Sequence, residues 1–350
     1  MRVGISLLTL LPGEVGGAET YARGLAGGLA EVGTLDYVVF TPPAAPGAGE
    51  GLPEVAVPEY RHVRKPRERV LAMARAALRP NPVRQRLGDL DAIHYALTVA
   101  VPKLEVPRVV TLFDLQHLDL PQLFSRAERA YRRLAYEGSA RAADAVVVTS
   151  QFVRRSVISH LGIPPERNRV HPLGLDHERY HPGEEAREPF LLYPARPWPH
   201  KNHERLFEAF AILRRERPEL RLVLTGGGHE GRQVPPGVDV NGLVSAEELV
   251  SLYRRAACLV FPSLYEGFGQ PPLEAMACGC PVAASGAGSL PEACGDAAAL
   301  FDPMDAEDIA AVVAAVLESP ERLVQAGLER AAQFTWAETA RRHEAVYGSL

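Results

Sequence analysis

The 350-residue chain has no run approaching the ~18 uninterrupted apolar residues of a membrane-spanning helix. Its opening, Met1–Leu8, is apolar but short, and Pro12-Gly13-Glu14 follows in place of a small-residue cleavage site. It reads as a first buried strand and not as a secretion signal. Cysteine is scarce: Cys258, Cys278, Cys280 and Cys294, all in the C-terminal half, form no Cys-x-x-Cys pair. That argues against a zinc site and for a reducing, cytoplasmic setting. His94, His171, His200 and His203 lack metal-ligand spacing and read as packing or surface groups. Short-period repeats are missing, although residues 41–58 are rich in Pro, Gly and Ala and read as a loop.

What is present is ordinary globular composition, 47% hydrophobic and 23% charged. The length suits two domains of roughly 150 residues each. Short apolar runs alternate with helical patterns in both halves, the rhythm of a doubly wound α/β fold. Strands are expected at Val3–Leu8, Tyr37–Thr41, Ala92–Tyr95, Val109–Phe113 and Ala145–Thr149, then at Phe190–Tyr193, Leu220–Leu224, Cys258–Phe261 and Pro281–Ala284. Ala18, Ala22, Leu25, Ala26, Leu29 and Val32 recur at helical spacing, with Gly33 as a stop. Ser150 and Asn202 are expected N-caps. The boundary is expected at His171–Asp176, giving domains of residues 1–174 and 175–334. Two such domains leave a cleft at the carboxyl ends of their strands, where open α/β sheets bind ligands.

Charge is uneven. Residues 1–174 hold 22 Lys+Arg against 17 Asp+Glu, and residues 175–350 hold 16 against 26. Much of the basic excess lies in Arg61–Arg86, where apolar residues are interleaved. The plain reading is a solvated basic helix and loop. The functional one is a surface for anionic lipid, each basic residue contributing roughly 1 kcal/mol. No binding module for nucleic acid accompanies it.

The most informative string is Pro262-Ser263-Leu264-Tyr265-Glu266-Gly267-Phe268-Gly269-Gln270-Pro271-Pro272-Leu273-Glu274. A strand runs into a glycine-containing loop, Pro271 and Pro272 pre-set a helical turn, and Gly279 ends the helix. A helix start offers free N–H groups to a phosphate. Glu266 and Glu274 bracket the turn, and carboxylates accept hydrogen bonds from sugar hydroxyls.

This string resembles the Glu-x7-Glu signature of retaining glycosyltransferases of the GT-B fold, family four, and the resemblance extends along most of the chain. It implies two Rossmann-like domains, an N-terminal acceptor side and a C-terminal nucleotide-sugar side. Tyr193–Asn202 resembles the segment that supplies an Arg and a Lys, here Arg196 and Lys201, to the donor diphosphate. Asn241-Gly242-Leu243-Val244 resembles the nucleobase-side segment, and Gly16-Gly17-Ala18-Glu19 the loop that closes over the phosphates. Phe334–Ala340 resembles the entry to a last helix, about 335–350, that packs back on the first domain. On this resemblance Arg196 and Lys201 neutralise the leaving diphosphate without a metal, Glu266 holds donor-sugar hydroxyls and supports the cationic transition state, and Glu274 binds ribose. Gly16, Gly17, Gly242, Gly267, Phe268 and Gly269 line the donor.

One position departs from the pattern. The family often has a His-Asp pair after a first-domain strand, and here Phe113 precedes Asp114. Phe113 donates no hydrogen bond, so either the contact is absent or a neighbour such as His117 supplies it. The segment most resembles bacterial mannosyltransferases of surface-polysaccharide assembly. The expectation is therefore a hexosyltransferase using a GDP- or UDP-linked sugar, mannose first, with a glycolipid or polysaccharide acceptor and no cofactor. It is expected in the cytoplasm, with the inner membrane face as a peripheral site. A nucleotide-sugar epimerase and a non-catalytic nucleotide-sugar-binding protein are the alternatives.

Overall fold

The computed structural model describes residues 1–14, 16–59, 81–229 and 231–350, with only the backbone of Asn81 and Pro82. Most of the Arg61–Arg86 stretch therefore lies outside the described residues. The chain divides into two compact units, Met1–Gly174 with Thr335–Leu350 (unit 1) and Leu175–Phe334 (unit 2).

Unit 1 is built on a parallel sheet of β1 (Arg2–Ser6), β2 (Asp36–Thr41), β3 (Glu54–Ala56), β4 (Ala92–Tyr95), β5 (Arg108–Leu112), β6 (Ala145–Val148) and β7 (Asn168–Val170), in the order β3-β2-β1-β4-β5-β6-β7. Unit 2 repeats the plan with β8 (Glu188–Pro194), β9 (Arg221–Thr225), β10 (Val238–Gly242), β11 (Ala256–Phe261), β12 (Val282–Ser285) and β13 (Ala299–Phe301), ordered β10-β9-β8-β11-β12-β13. Each order reverses beside its first strand, the arrangement of a doubly wound nucleotide-binding sheet. Interior strands such as β4 and β6 are buried at every position, because helices cover both faces of a parallel sheet.

The sequence pattern misses four strands, β3, β7, β10 and β13. These are the four sheet edges, short and, except for the apolar β13, part-polar, with one face or side in solvent.

The helix Gly17–Val32 carries the expected apolar stripe, with Tyr21, Ala22, Leu25, Ala26, Gly28 and Leu29 buried. Gly33 follows it with an ordinary φ of −69°. Glycine is needed there for closeness: a Cβ would lie 2.4 Å from Leu29 O and 2.6 Å from the Tyr37 ring. Ser150 caps Gln151–Leu161 by accepting from Val153 N at 3.2 Å.

The chain returns from unit 2 to unit 1 through Trp336–Tyr347, capped by Thr335. Glycines receive it: a Cβ on Gly24 would stand 2.1 Å from the Trp336 ring, and one on Gly28 2.5 Å from Trp336 O. Glu344 fastens the far end, accepting from Thr34 N at 2.6 Å and Tyr37 Oη at 2.9 Å.

Candidate active site

The charged groups expected to bind a donor gather at the carboxyl edge of the unit 2 sheet. After β11 the chain enters Pro262–Gly269, then the helix Gln270–Ala277. Gly269, at φ 105°, makes the turn into that helix, and a Cβ there would lie 2.6 Å from Leu290. Ser289 Oγ pins the loop from below, donating to Glu266 O at 2.9 Å and, in a second contact, Phe268 O at 2.8 Å. The Glu266 backbone is thus fixed from outside its own segment.

Lys201 arrives on a second loop, after β8. Tyr193 Oη donates to Lys201 O at 2.6 Å, and Leu264 N donates to His200 O at 2.8 Å. Asn202 was expected to cap the helix His203–Glu216. It does not: its side chain makes no cap bond and its φ is 59°. Its Nδ2 instead donates to Pro262 O at 3.1 Å and Pro303 O at 2.7 Å. Asn tolerates the left-handed region better than most residues, and here the side chain ties the two loops together.

The outcome is a Lys201 Nζ–Glu266 Oε1 pair at 2.5 Å, with the two side chains 13% and 15% exposed. Phe261 sits beneath the ammonium, its ring centroid 5.2 Å away. At this level of burial, removing one partner strands a charge in a poorly hydrated place. Arg196, on the same loop, places its guanidinium 5.8 Å from the exposed Trp198 ring. Gly226, at φ 112°, comes within a Cβ-width of the Ala195–Arg196 backbone, and its N–H donates to Gly242 O at 2.7 Å. Gly242, at φ 64°, faces open space.

Glu274 lies deeper than expected, 9% exposed, and accepts from Tyr253 Oη at 2.9 Å. Burial raises its carboxyl to about 7 against the opposing hydroxyls of Tyr253 and Tyr180. Phe268, expected to line the donor, turns its ring inward, 8% exposed and edge-on to Phe334 at 5.7 Å. Only its backbone remains at the loop. Under the Lys201 loop, His203 is buried between Tyr193 and His229, and neither ring nitrogen has a partner. The sequence pattern read it as a packing or surface group, and its burial makes it a packing one.

In unit 1, Gly16 takes φ 54° and precedes the helix Gly17–Val32. Glu19 of the Gly-Gly-x-Glu string holds the loop, its Oε2 accepting from Gly13 N at 2.8 Å while Oε1 pairs with Arg23. At the end of β5, Asp114 accepts from Gln116 N at 3.0 Å and Arg132 Nη1 at 3.4 Å. Arg132 lies over the Phe124 and Tyr136 rings, 4.6 and 5.1 Å from their centroids. Phe113 packs edge-on against Tyr21 at 5.1 Å. His117 does not replace a missing histidine at the surface: it is 1% exposed and bonded to Glu137 at 3.3 Å.

Asp89-Leu90-Asp91 is an Asp-x-Asp string, but Asp91 serves the sheet, accepting from Arg2 N at 2.6 Å. Among the described residues no cluster of three or more His, Cys, Asp or Glu is placed to hold a metal. No helix among them is long and apolar enough to cross a membrane.

Two all-parallel Rossmann-like units with this edge site define the GT-B class of glycosyltransferases. A model described as Glycosyltransferase Family 4 matches residues 15–179, and one described as Glycosyl transferases group 1 matches residues 176–332. The D-inositol 3-phosphate glycosyltransferase of Thermobispora bispora is 31% identical over 390 aligned positions, covering 96% of this chain and 90% of that protein. The O-antigen chain mannosyltransferase B of Escherichia coli is 29% identical over 302 residues, 77% of this chain and 78% of that protein. Among solved structures, sucrose-phosphate synthase from Thermosynechococcus elongatus has a TM-score of 0.81 at 23% identity, covering 100% of this chain and 98% of that one. Anabaena HepE in complex with UDP-glucose has a TM-score of 0.72 at 19% identity, with full coverage of both. The chain belongs to glycosyltransferase family 4 and is a glycosyltransferase.

Proposed function

We propose that this protein transfers a hexose, mannose first, from a nucleoside-diphosphate sugar to a glycan or glycolipid acceptor, with retention at the anomeric carbon and no metal. The observation that carries the reading is the Lys201–Glu266 pair, held by Asn202 and Ser289 at the carboxyl edge of the unit 2 sheet. A departing diphosphate gains negative charge as the glycosidic bond breaks. Cations already in place lower that barrier, since they need not reorganise during the step.

On this reading Lys201 and Arg196 take the diphosphate. Lys201 then shares its charge between phosphate and Glu266, which keeps the carboxylate beside the sugar ring. Glu266 accepts from sugar hydroxyls and stabilises positive charge at the anomeric carbon. Glu274 meets the ribose, and Gly242 and Gly226 leave room for the nucleoside. The Gly267 and Gly269 backbone admits the diphosphate at the start of Gln270–Ala277. From unit 1, Gly16, Gly17 and Asp114 are assigned to the same reaction. Retention follows front-face attack, with a phosphate oxygen taking the acceptor proton. Mannose is favoured by the likeness to the O-antigen chain mannosyltransferase.

The test is a panel of GDP- and UDP-sugars, with and without lipid and glycan acceptors, followed by release of nucleoside diphosphate and by the anomeric coupling of the product. Turnover in the presence of EDTA, with the donor's configuration kept, is expected. An inverted product or dependence on added metal would contradict the mechanism. Silence across the panel would favour a binding protein. For the basic Arg61–Arg86 stretch, co-sedimentation with vesicles of phosphatidylglycerol but not phosphatidylcholine is expected; equal behaviour with both would remove the membrane proposal.

A further inference from the structure

Five fully buried polar side chains of unit 1 lie in contact with one another: Tyr21 on the helix Gly17–Val32, His94 on β4, Thr111 on β5, and His343 and Tyr347 on the C-terminal helix. Their contacts form a line. Tyr347 Oη lies 2.7 Å from His94 Nδ1, His94 Nε2 2.7 Å from Thr111 Oγ1, Thr111 Oγ1 2.7 Å from Tyr21 Oη, and Tyr21 Oη 2.8 Å from His343 Nε2. His343 Nδ1 ends the line 2.7 Å from Thr339 O.

The chemistry allows one direction. Thr339 O only accepts, so His343 Nδ1 carries the proton. In a neutral imidazole Nε2 must then accept, and Tyr21 donates to it. With its single proton committed, Tyr21 accepts from Thr111, and Thr111 in turn accepts from His94 Nε2–H. His94 Nδ1 is left to accept from Tyr347. His171 Nδ1, 3.1 Å from His343 Nδ1, faces that same proton and must also accept. Every link is satisfied with all three imidazoles neutral, as burial favours.

We infer that this one-way chain makes Thr111 and Tyr21 positioning residues for the transfer reaction, an inference that rests on the reading of Gly16, Gly17 and Asp114 given above. Thr111 lies on β5, three residues before Asp114, which follows the strand's end at Leu112. Tyr21 lies in the helix that opens at Gly17, and its ring braces Phe113, the neighbour of Asp114. The Thr111–Tyr21 bond therefore joins the strand that leads into Asp114 to the helix that opens at the glycines, and the flanking histidines orient both hydroxyls. Cutting the line leaves buried groups unpaired on both sides of the break.

The test uses the full chain labelled with 15N-histidine at pH 7. Long-range proton–nitrogen correlations are expected to place the proton on Nε2 of His94, Nδ1 of His343 and Nε2 of His171. Thr111→Val keeps the shape and removes the hydroxyl. With the donor that turns over in the panel, its kcat is expected to fall roughly ten- to a hundredfold while KM for the donor stays within about twofold. Thr111→Ser is expected to restore kcat. Tyr21→Phe should match Thr111→Val, and the double variant should be no worse than either, because both cut one line. The opposite tautomer at His94 or His343, or a folded Thr111→Val enzyme with unchanged kcat, would overturn the inference. Should Thr111→Val not fold, the tautomers and Tyr21→Phe decide. Full activity in Asp114→Asn would instead refute the reading of Asp114, whatever the tautomers.

Discussion

The two units share one sheet order but hold their polar groups differently. In unit 2 Arg196, Lys201 and Glu266 sit on two short contiguous loops at the ends of paired strands, Ala195–Asn202 after β8 and Pro262–Gly269 after β11, with Glu274 in the helix that follows. In unit 1 the buried polar line joins residues far apart in the chain, Tyr21 to His343 across 322 positions and His94 to Tyr347 across 253. A site on loops can be read from neighbouring residues and tolerates variation in the scaffold. A chain through the core exists only when the C-terminal helix has docked. The contrast implies that damage to unit 2 loops falls on chemistry, and damage to the unit 1 interior falls on both stability and turnover.

The sharpest break of that contrast is at Glu266. Glu266→Gln is expected to lower kcat about 10²- to 10³-fold with a much smaller change in donor affinity. Steady-state kinetics and donor titration check it, and equal losses in both would remove its role in the transition state. Next comes Asn202→Gly, which suits the left-handed backbone but deletes the side-chain bonds to Pro262 O and Pro303 O. A fall in kcat/KM of roughly tenfold is expected, with a melting midpoint lowered only slightly.

Unit 1 should respond the other way. Gly24→Ala drives a Cβ into Trp336, and about 1–3 kcal/mol of overpacking is expected, lowering the melting midpoint by roughly 2–10 °C. Calorimetry should show that loss with the donor affinity of unit 2 retained.

Acid should single out unit 1 as well. Burial lowers His343 to about 4 and His171 to about 2, with Arg342 and Arg169 adding to the effect at His171. The unfolded chain takes up these protons near pH 6.5. Above that both states are neutral and stability is level. From about 6.5 down to about 4 only the unfolded chain gains protons, so stability falls as pH falls. His94, Tyr21, Tyr347 and, beyond them, Tyr37 and Glu344 face the same interior; none supplies a carboxylate in contact with a ring nitrogen. In unit 2 the shifts oppose each other over the same range: Glu274, raised to about 7 by burial, favours the folded state as pH falls, while buried His203, lowered to about 3, disfavours it. Melts from pH 7 to 4.5 should therefore show a declining midpoint for unit 1, and a flat profile would contradict the neutral chain. The smallest effect belongs to Phe268→Leu, a buried swap costing under about 1.5 kcal/mol. Its donor KM should not move; a rise would place the ring on the ligand.

How much of this was legible in the sequence follows the same division. The nine interior strands announced themselves because burial on both faces demands unbroken apolar runs. The four edges did not: Glu54–Ala56, Asn168–Val170 and Val238–Gly242 are short and mix polar residues into the strand, and Ala299–Phe301 is apolar but only three residues long. The candidate site was legible where one loop contains it. Lys201 and Glu266 were assigned separate tasks, and their mutual pairing became visible only once two loops were brought together. Asn202 precedes a helix, the usual place for a cap, but tertiary contacts to Pro262 and Pro303 took its side chain. Phe268 stands between two glycines in the string, yet packing against Phe334 turned it inward. His94 and His171 offered no spacing at all, since their partners lie on the last helix.

The central claim is that a departing diphosphate meets Arg196 and Lys201 beside Glu266 in unit 2. A crystal structure of the protein soaked with GDP- or UDP-hexose tests it directly. The diphosphate is expected within hydrogen-bonding distance of both cations, with Glu266 against the sugar hydroxyls. A diphosphate lodged away from Arg196 and Lys201 would contradict the account.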